Sequence, residues 1–248
     1  MQIKGALHVH STLSRDGTMT IGQLAELYSR RGYQFAALTE HAEDLDEGAV
    51  EMLLQGSREN SSAEFCLIPG LEFSAQSPFH ILALGFTRLF PQQDRLALIE
   101  QIRSCEAVAI LAHPKRTGWN CPPAILQAVD AVEIWNVGYD GKFLPSARAM
   151  REFASMRRIH PHLMAVAEHD LHRRESFYDV ALQMDVSSIS SGQILDNLHN
   201  GSYVIHSRFF RCVSDASISP TKATFLRAIS EQLENVRRAR SLAEGWFS

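Results

Sequence analysis

Two histidines one residue apart, His8 and His10, and an aspartate six residues further on, Asp16, occupy the N-terminal run ALHVHSTLSRDG. Histidine and carboxylate side chains bind divalent cations at neutral pH. Further ones recur in short motifs: His41 in TEH, Glu72 in GLEF, His80 in HILALG, His113 in AHP, and Asp170 and His172 in DLH. Burying nine such groups together without a cation would leave unpaired charges and unsatisfied ring nitrogens. The chemistry they point to is that of a metal cluster.

The elements that must position them read as alternating apolar runs and amphipathic stretches. Strands are expected at 3–9, 35–39, 64–73, 80–86, 107–113, 131–136, 163–168 and 203–210. Helices are expected at 20–32, with Thr20 as cap and Gly32 as stop, and at 95–105, 145–158 and 221–246. This alternation argues for a parallel α/β architecture. Some seven strand-helix units suit a distorted (β/α)7 TIM-like barrel over 1–248 as a single domain. His8 and His10 share one face of the first strand, because side chains alternate with period two. His41, Glu72, His113, Asp170 and His172 sit at or just after strand C-termini, where barrels of this class build their sites. His80 precedes its strand and requires an irregular or reversed one. His160, His162, His199 and His206 follow no such placement and read as structural.

Composition narrows the function classes. No apolar run approaches the ~20 residues needed to span a membrane, and MQIKGALHVH lacks the apolar core of a signal peptide. Cys66, Cys105, Cys121 and Cys212 are scattered and form no CxxC pair. They read as reduced thiols and predict a cytoplasmic protein. The net charge of −4 disfavours a long nucleic-acid partner.

With these motifs assembled, the chain resembles the PHP (polymerase and histidinol phosphatase) family. The resemblance spans essentially the whole length: HxH with a downstream Asp, TEH, GLEF followed by HILALG, AHP, then DxH. It implies a distorted (β/α)7 barrel, two or three divalent metal ions (Zn, Mn or Fe) and hydrolysis of phosphate esters. By position, it implies that His8, His10, Glu72 and Asp170 hold a first metal. Glu72 would bridge to a second held by His80 and His113, and Asp16, His41 and His172 would hold a third. The attacking group would be a metal-bridging hydroxide held at Glu72, with no protein nucleophile. This sequence departs from the family pattern at Glu40, where an aspartate is usual, and at Glu168 and His169, which replace small residues before DxH.

Phosphate recognition is expected from cations beside the ligands: Arg15, Lys115, Arg116, Arg173 and Arg174. Glu40, Asn136 and His169 are expected to stand behind the ligands. The preferred substrate is a small phosphomonoester, a nucleotide or a sugar or amino-alcohol phosphate. The alternatives are a phosphodiesterase or exonuclease on short oligonucleotides or cyclic phosphates, and a non-catalytic metal-binding module. An amidohydrolase is disfavoured, because Lys115 is the one lysine at a strand end.

Overall fold

Apolar side chains fill both faces of the central strands, as expected where a sheet is covered on each side; HILAL (80–84) and VAILA (108–112) are buried throughout. The computed structural model describes residues 1–229 and 232, apart from 76, 92–93 and 141–142. In chain order the strands are β1 (Gln2–Val9), β2 (Phe35–Leu38), β3 (Glu40–His41), β4 (Cys66–Ile68), β5 (Gly70–Phe73), β6 (His80–Leu84), β7 (Val108–Ala112), β8 (Ala131–Asn136), β9 (Met164–Glu168), β10 (Val180–Asp185), β11 (Tyr203–Ser207) and β12 (Arg211–Val213). The helices are α1 (Ile21–Arg30), α2 (Glu47–Glu59), α3 (Arg95–Ser104), α4 (Pro123–Ala128), α5 (Ala147–Ile159) and α6 (Ser191–His199).

The strands form two six-stranded sheets, ordered β12-β11-β10-β1-β2-β4 and β3-β5-β6-β7-β8-β9. Two interrupted runs serve both. Residues 35–41 break at Thr39, whose N–H turns to the Val9 carbonyl (2.9 Å). The partner run breaks at Pro69, which has no N–H to give a ladder. Each run spends its first half in one sheet and its second half in the other. A Cβ at Gly70 would lie 2.5 Å from the Ala83 carbonyl oxygen, so the break tolerates no side chain. A second seam joins β1 to the segment after β9. His169 N–H donates to Leu7 O, Leu171 N–H to His8 O, and His10 N–H to Leu171 O, at 3.0–3.1 Å.

The chain is mixed α/β, its ladders fall into two sheets that meet at these two seams, and it departs from the regular strand-helix repeat expected of a (β/α)7 barrel. Two features account for this. β6 runs antiparallel to both β5 and β7, and β10, β11 and β12 extend the first sheet as an antiparallel meander against β1. Strands β10 and β12 and helices α2, α4 and α6 were not anticipated. The predicted C-terminal helix is helical at 220–229, and its remainder lies outside the described residues. No helix among the described residues is long and apolar enough to cross a membrane, and all four cysteines are free.

Candidate metal centre

The parallel strands of both sheets end on the same side, where their C-termini bring together His8 and His10 (β1), His41 (β3), Glu72 (β5), His113 (after β7), and Asp170 and His172 (after β9). The reversal of β6 delivers His80 from its N-terminal end: β6 pairs His80 with Ala112, the residue before His113. Three of these residues adopt left-handed backbone, His8 (φ 62°), His113 (φ 28°) and Asp170 (φ 50°). Such conformations cost about 1–3 kcal/mol each and gather at functional sites.

Glu72 is the hub and is almost fully buried. Its Oε1 faces His80 Nδ1 (2.6 Å) and His113 Nε2 (3.2 Å). Its Oε2 faces His8 Nε2 (3.2 Å), His41 Nδ1 (3.3 Å) and His10 Nε2 (3.4 Å). Burial alone would raise the Glu72 carboxyl, but the charge on His8 and hydrogen bonds from His113, His8 and His80 hold it well below the usual carboxylate range. Burial and the neighbouring His8, His172 and His41 rings push His10 well below the ordinary histidine value, against the pull of Glu72. Burial also lowers His80.

On the outer side, Asp16 bridges His41 Nε2 (3.4 Å) and His172 Nε2 (3.3 Å). The His10 ring stacks on His172 with centroids 4.2 Å apart. Gly17 makes the Asp16 loop possible, since a Cβ there would lie 1.9 Å from the Ser11 carbonyl oxygen. Asp170 Oδ1 faces His8 Nε2 at 3.4 Å and His10 Nε2 at 3.8 Å.

The donor set suits cations. His10 Nε2, His41 Nδ1 and His113 Nδ1 are buried without a hydrogen-bond partner, a costly state that a metal ion would relieve. Ligand atoms converge within 4.8 Å in the groups His8–His10–Glu72, Glu72–His80–His113, His10–His41–His172 and His8–His113–Asp170. The first two draw on members of the expected first and second sets, while the third joins His41 and His172 to His10 in place of Asp16. Asp170 groups instead with His8 and His113, and Asp16 stands at the exposed edge.

The three residues expected behind the ligands have distinct roles. Glu40 is fully buried; it accepts from Ser11 N–H (2.9 Å) and Ser14 Oγ–H (2.5 Å). Ser14 in turn touches His10 Nδ1 (3.3 Å) and accepts from His41 N–H. The glutamate thus braces the loop that carries Asp16, and burial raises its carboxyl despite those hydrogen bonds. Asn136 Nδ2 donates to Asp170 Oδ2 (3.2 Å). His169 faces away from the cluster: its Nδ1 meets Tyr28 Oη (2.9 Å) and its Nε2 meets Val180 O (2.5 Å). It is a buried packing residue, not a surface or metal-side one.

Sequence reasoning missed Glu133, and it treated Glu168 only as bulk. Both carboxylates lie buried behind His8, with Glu168 Oε2 3.1 Å and Glu133 Oε2 4.0 Å from its Nδ1. Burial and the Glu168 charge raise the Glu133 carboxyl well above the ordinary value. A carboxylate mid-strand in AVEIWN, at a position otherwise apolar, was the available signal.

Of the cations, Arg116 reaches the site, with Nη1 3.4 Å from His80 Nε2. Arg173 and Arg174 are exposed just beyond His172. Arg15 is exposed and pairs with Asp44 (3.2 Å). Lys115 is drawn aside to Asp140 (3.1 Å) and the Tyr139 carbonyl.

No protein-family model matches the chain. Over 135 residues it is 30% identical to the DNA polymerase/3'-5' exonuclease PolX of Bacillus subtilis, which covers 46% of this chain and 24% of PolX. Its fold is that of the lesion-specific endonuclease PfuEndoQ of Pyrococcus furiosus, with a TM-score of 0.60, 16% identity and coverage of 83% of this chain and 58% of that one. A complex of Endonuclease Q with a 27-mer duplex substrate, an abasic lesion at its active site, superposes with a TM-score of 0.59 and 15% identity over 86% of this chain and 58% of that one. The chain thus spans about a quarter of PolX and just over half of Endonuclease Q. That a protein of this fold takes a duplex substrate runs against the expectation that disfavoured long nucleic acid, which rested on the absence of a basic excess and on ligand spacing that leaves no room for a large insertion. These likenesses are consistent with the PHP-like resemblance carried by the motifs.

Proposed function

We propose that the chain hydrolyses phosphate esters with divalent metal ions held by His8, His10, Asp16, His41, Glu72, His80, His113, Asp170 and His172. The observation that carries this reading is the division of Glu72, with one carboxylate oxygen facing His80 and His113 and the other facing His8, His10 and His41. When bound, such metals supply a water acidic enough to attack at neutral pH and offset phosphoryl charge. The chain's residues do the rest. Glu72 keeps two histidine groups at a fixed separation, and its low proton affinity leaves both oxygens free. Arg116, beside His80, is placed to hold a phosphoryl oxygen through a bidentate guanidinium. Asp16 and His172, partly exposed, mark the side from which a substrate enters.

The first substrate reading is a small phosphomonoester. The second is a phosphodiester in nucleic acid, favoured by the Endonuclease Q likeness and by the exposed Arg15, Arg116, Arg173 and Arg174, which make the rim locally basic on a chain of net charge −4.

Two readouts on manganese-supplemented protein separate them: inorganic phosphate for the monoesters, and chromatographic or gel separation of products for the diester and oligonucleotides, whose hydrolysis leaves a monoester and frees no phosphate. The panel holds nucleoside mono- and bisphosphates, histidinol phosphate, a simple diester, and single-stranded and lesion-bearing duplex oligonucleotides. Monoester turnover abolished by His10→Ala supports the first reading; turnover of diester or oligonucleotide alone supports the second. Silence with metals bound points to a non-catalytic metal-binding module.

A further inference from the structure

We infer that Glu168 and Glu133 are positioning residues of the metal centre, Glu168 fixing which nitrogen of His8 faces the metal and Glu133 holding the backbone of His113. This rests on the metal-centre reading above. Glu168 Oε2 lies 3.1 Å from His8 Nδ1, and a carboxylate there accepts only from Nδ1–H. When a metal displaces the proton that Nε2 shares with Glu72, the remaining proton is thereby kept on Nδ1, and the Nε2 lone pair, on the side of Glu72 Oε2 (3.2 Å) and Asp170 Oδ1 (3.4 Å), is left for the ion. A free neutral imidazole chooses its tautomer from its partners, and carboxylate–histidine pairs are how metal sites make that choice.

Glu133 acts on the neighbouring strand end. Its Oε2 accepts the His113 backbone N–H at 2.8 Å. His113 holds the left-handed φ of 28° that aims its Nε2 at Glu72. His8 is likewise left-handed, at φ 62°. Two strained ligands therefore rest on two adjacent buried carboxylates, brought together by the parallel pairing of β8 and β9. Both glutamates are almost fully buried, as His8 and Glu72 are. They stand on the far side of His8 from Glu72, where they do not reach a substrate.

The test is made on the full chain loaded with zinc, which is diamagnetic. Long-range proton–nitrogen spectra of labelled protein report the tautomer of each histidine, and calorimetric titration reports zinc affinity and stoichiometry. The expected wild-type spectrum has His8 protonated at Nδ1 and coordinated through Nε2. Glu168→Gln keeps a carbonyl acceptor and is expected to weaken zinc binding at one site by about tenfold, and Glu168→Ala by about a hundredfold. Glu133→Gln is expected to rescue most of the loss seen in Glu133→Ala. His8 coordinated through Nδ1 in the wild type overturns the proposal, and so does Glu168→Ala with wild-type zinc affinity. If the alanine variants do not fold, the wild-type spectrum and the glutamine variants still decide. A wild type that binds no zinc at all overturns the underlying metal reading instead. The expected tautomer and affinity effects without turnover of any monoester, diester or oligonucleotide leave this inference standing and remove the hydrolase reading.

Discussion

His8 and His169 are both sealed from solvent, yet they sit at opposite ends of the histidine scale. Burial pulls both toward the neutral form. For His169 nothing opposes it strongly, among Tyr28, Tyr33 and Phe177, and its pKa falls from 6.5 to about 4. For His8, burial is outweighed by the charges of Asp170 and Glu72 and by hydrogen bonds to Glu168 and Glu72, and its pKa lies well above the ordinary value. What separates a packing histidine from a cation-seeking cluster is the carboxylates around it, not depth. In the cluster, the attraction that raises His8 is the same one a divalent ion would exploit.

The strongest way to break this contrast is to remove the shared carboxylate. Glu72→Gln keeps the shape but leaves five histidines around a neutral amide. Phosphate release is expected to fall roughly 10²–10³-fold, the scale of a lost preorganised charge contact, and metal content by elemental analysis should drop with it. Retained metal and activity would mean that the histidines alone make the site.

His169 sharpens the other half. Its folded pKa is depressed, so the unfolded chain takes up a proton as pH falls through 6.5 while the folded chain does not until about 4. Its contribution to stability is complete above pH 6.5, is lost across that window, and falls no further below it. The loss amounts to roughly 3 kcal/mol. Denaturant melts of metal-free protein between pH 7 and 4 should show this slope, and His169→Asn should flatten it even if that variant is less stable throughout.

Metal addition should act on the cluster alone. Manganese or zinc at a hundred times its dissociation constant stabilises by about 2.7 kcal/mol, read as a rise in Tm that Glu72→Gln abolishes and His169→Asn leaves in place. The smallest expected effect is at the rim. Arg116→Ala should raise KM by about tenfold, the loss of one charge-assisted hydrogen-bonding group, with a lesser change in kcat. Arg15→Ala, whose guanidinium already pairs with Asp44, should change KM by less. Equal effects of the two would shift the phosphate contact from the His80 side to the Asp16 side.

Much of the site was legible in the sequence, because ligand-type residues at strand ends are unusual and strand ends share a location in α/β folds. His41, just after FAALT, and Glu72, in GLEF, could be placed at a mouth without knowing the fold in detail. Glu133 was legible only as an unusual carboxylate in AVEIWN, which carries no mark of its partner thirty-five residues later. The roles of Glu168 and His169 were not legible: adjacent residues on a strand face opposite ways, but what waits on each side is set by β1, α1 and β10. The departure from a regular strand-helix repeat has a related reason. Apolar alternation marks strands without giving their direction: the reversal of β6 was signalled only by His80 standing at the start of its strand, and the antiparallel β10–β12 meander left no such mark.

By itself, the sequence determined the inventory: which residues can bind a cation, that most of them end strands, and that one, His80, begins its strand. The tertiary structure decided the partnerships. It placed Glu72 among five histidines, set Glu133 and Glu168 behind His8, and turned His169 into an aromatic pocket. The physical reason is that a side chain's protonation and its usefulness as a ligand depend on charges within a few ångströms, and here those charges come from segments far apart in the chain that only strand pairing brings together.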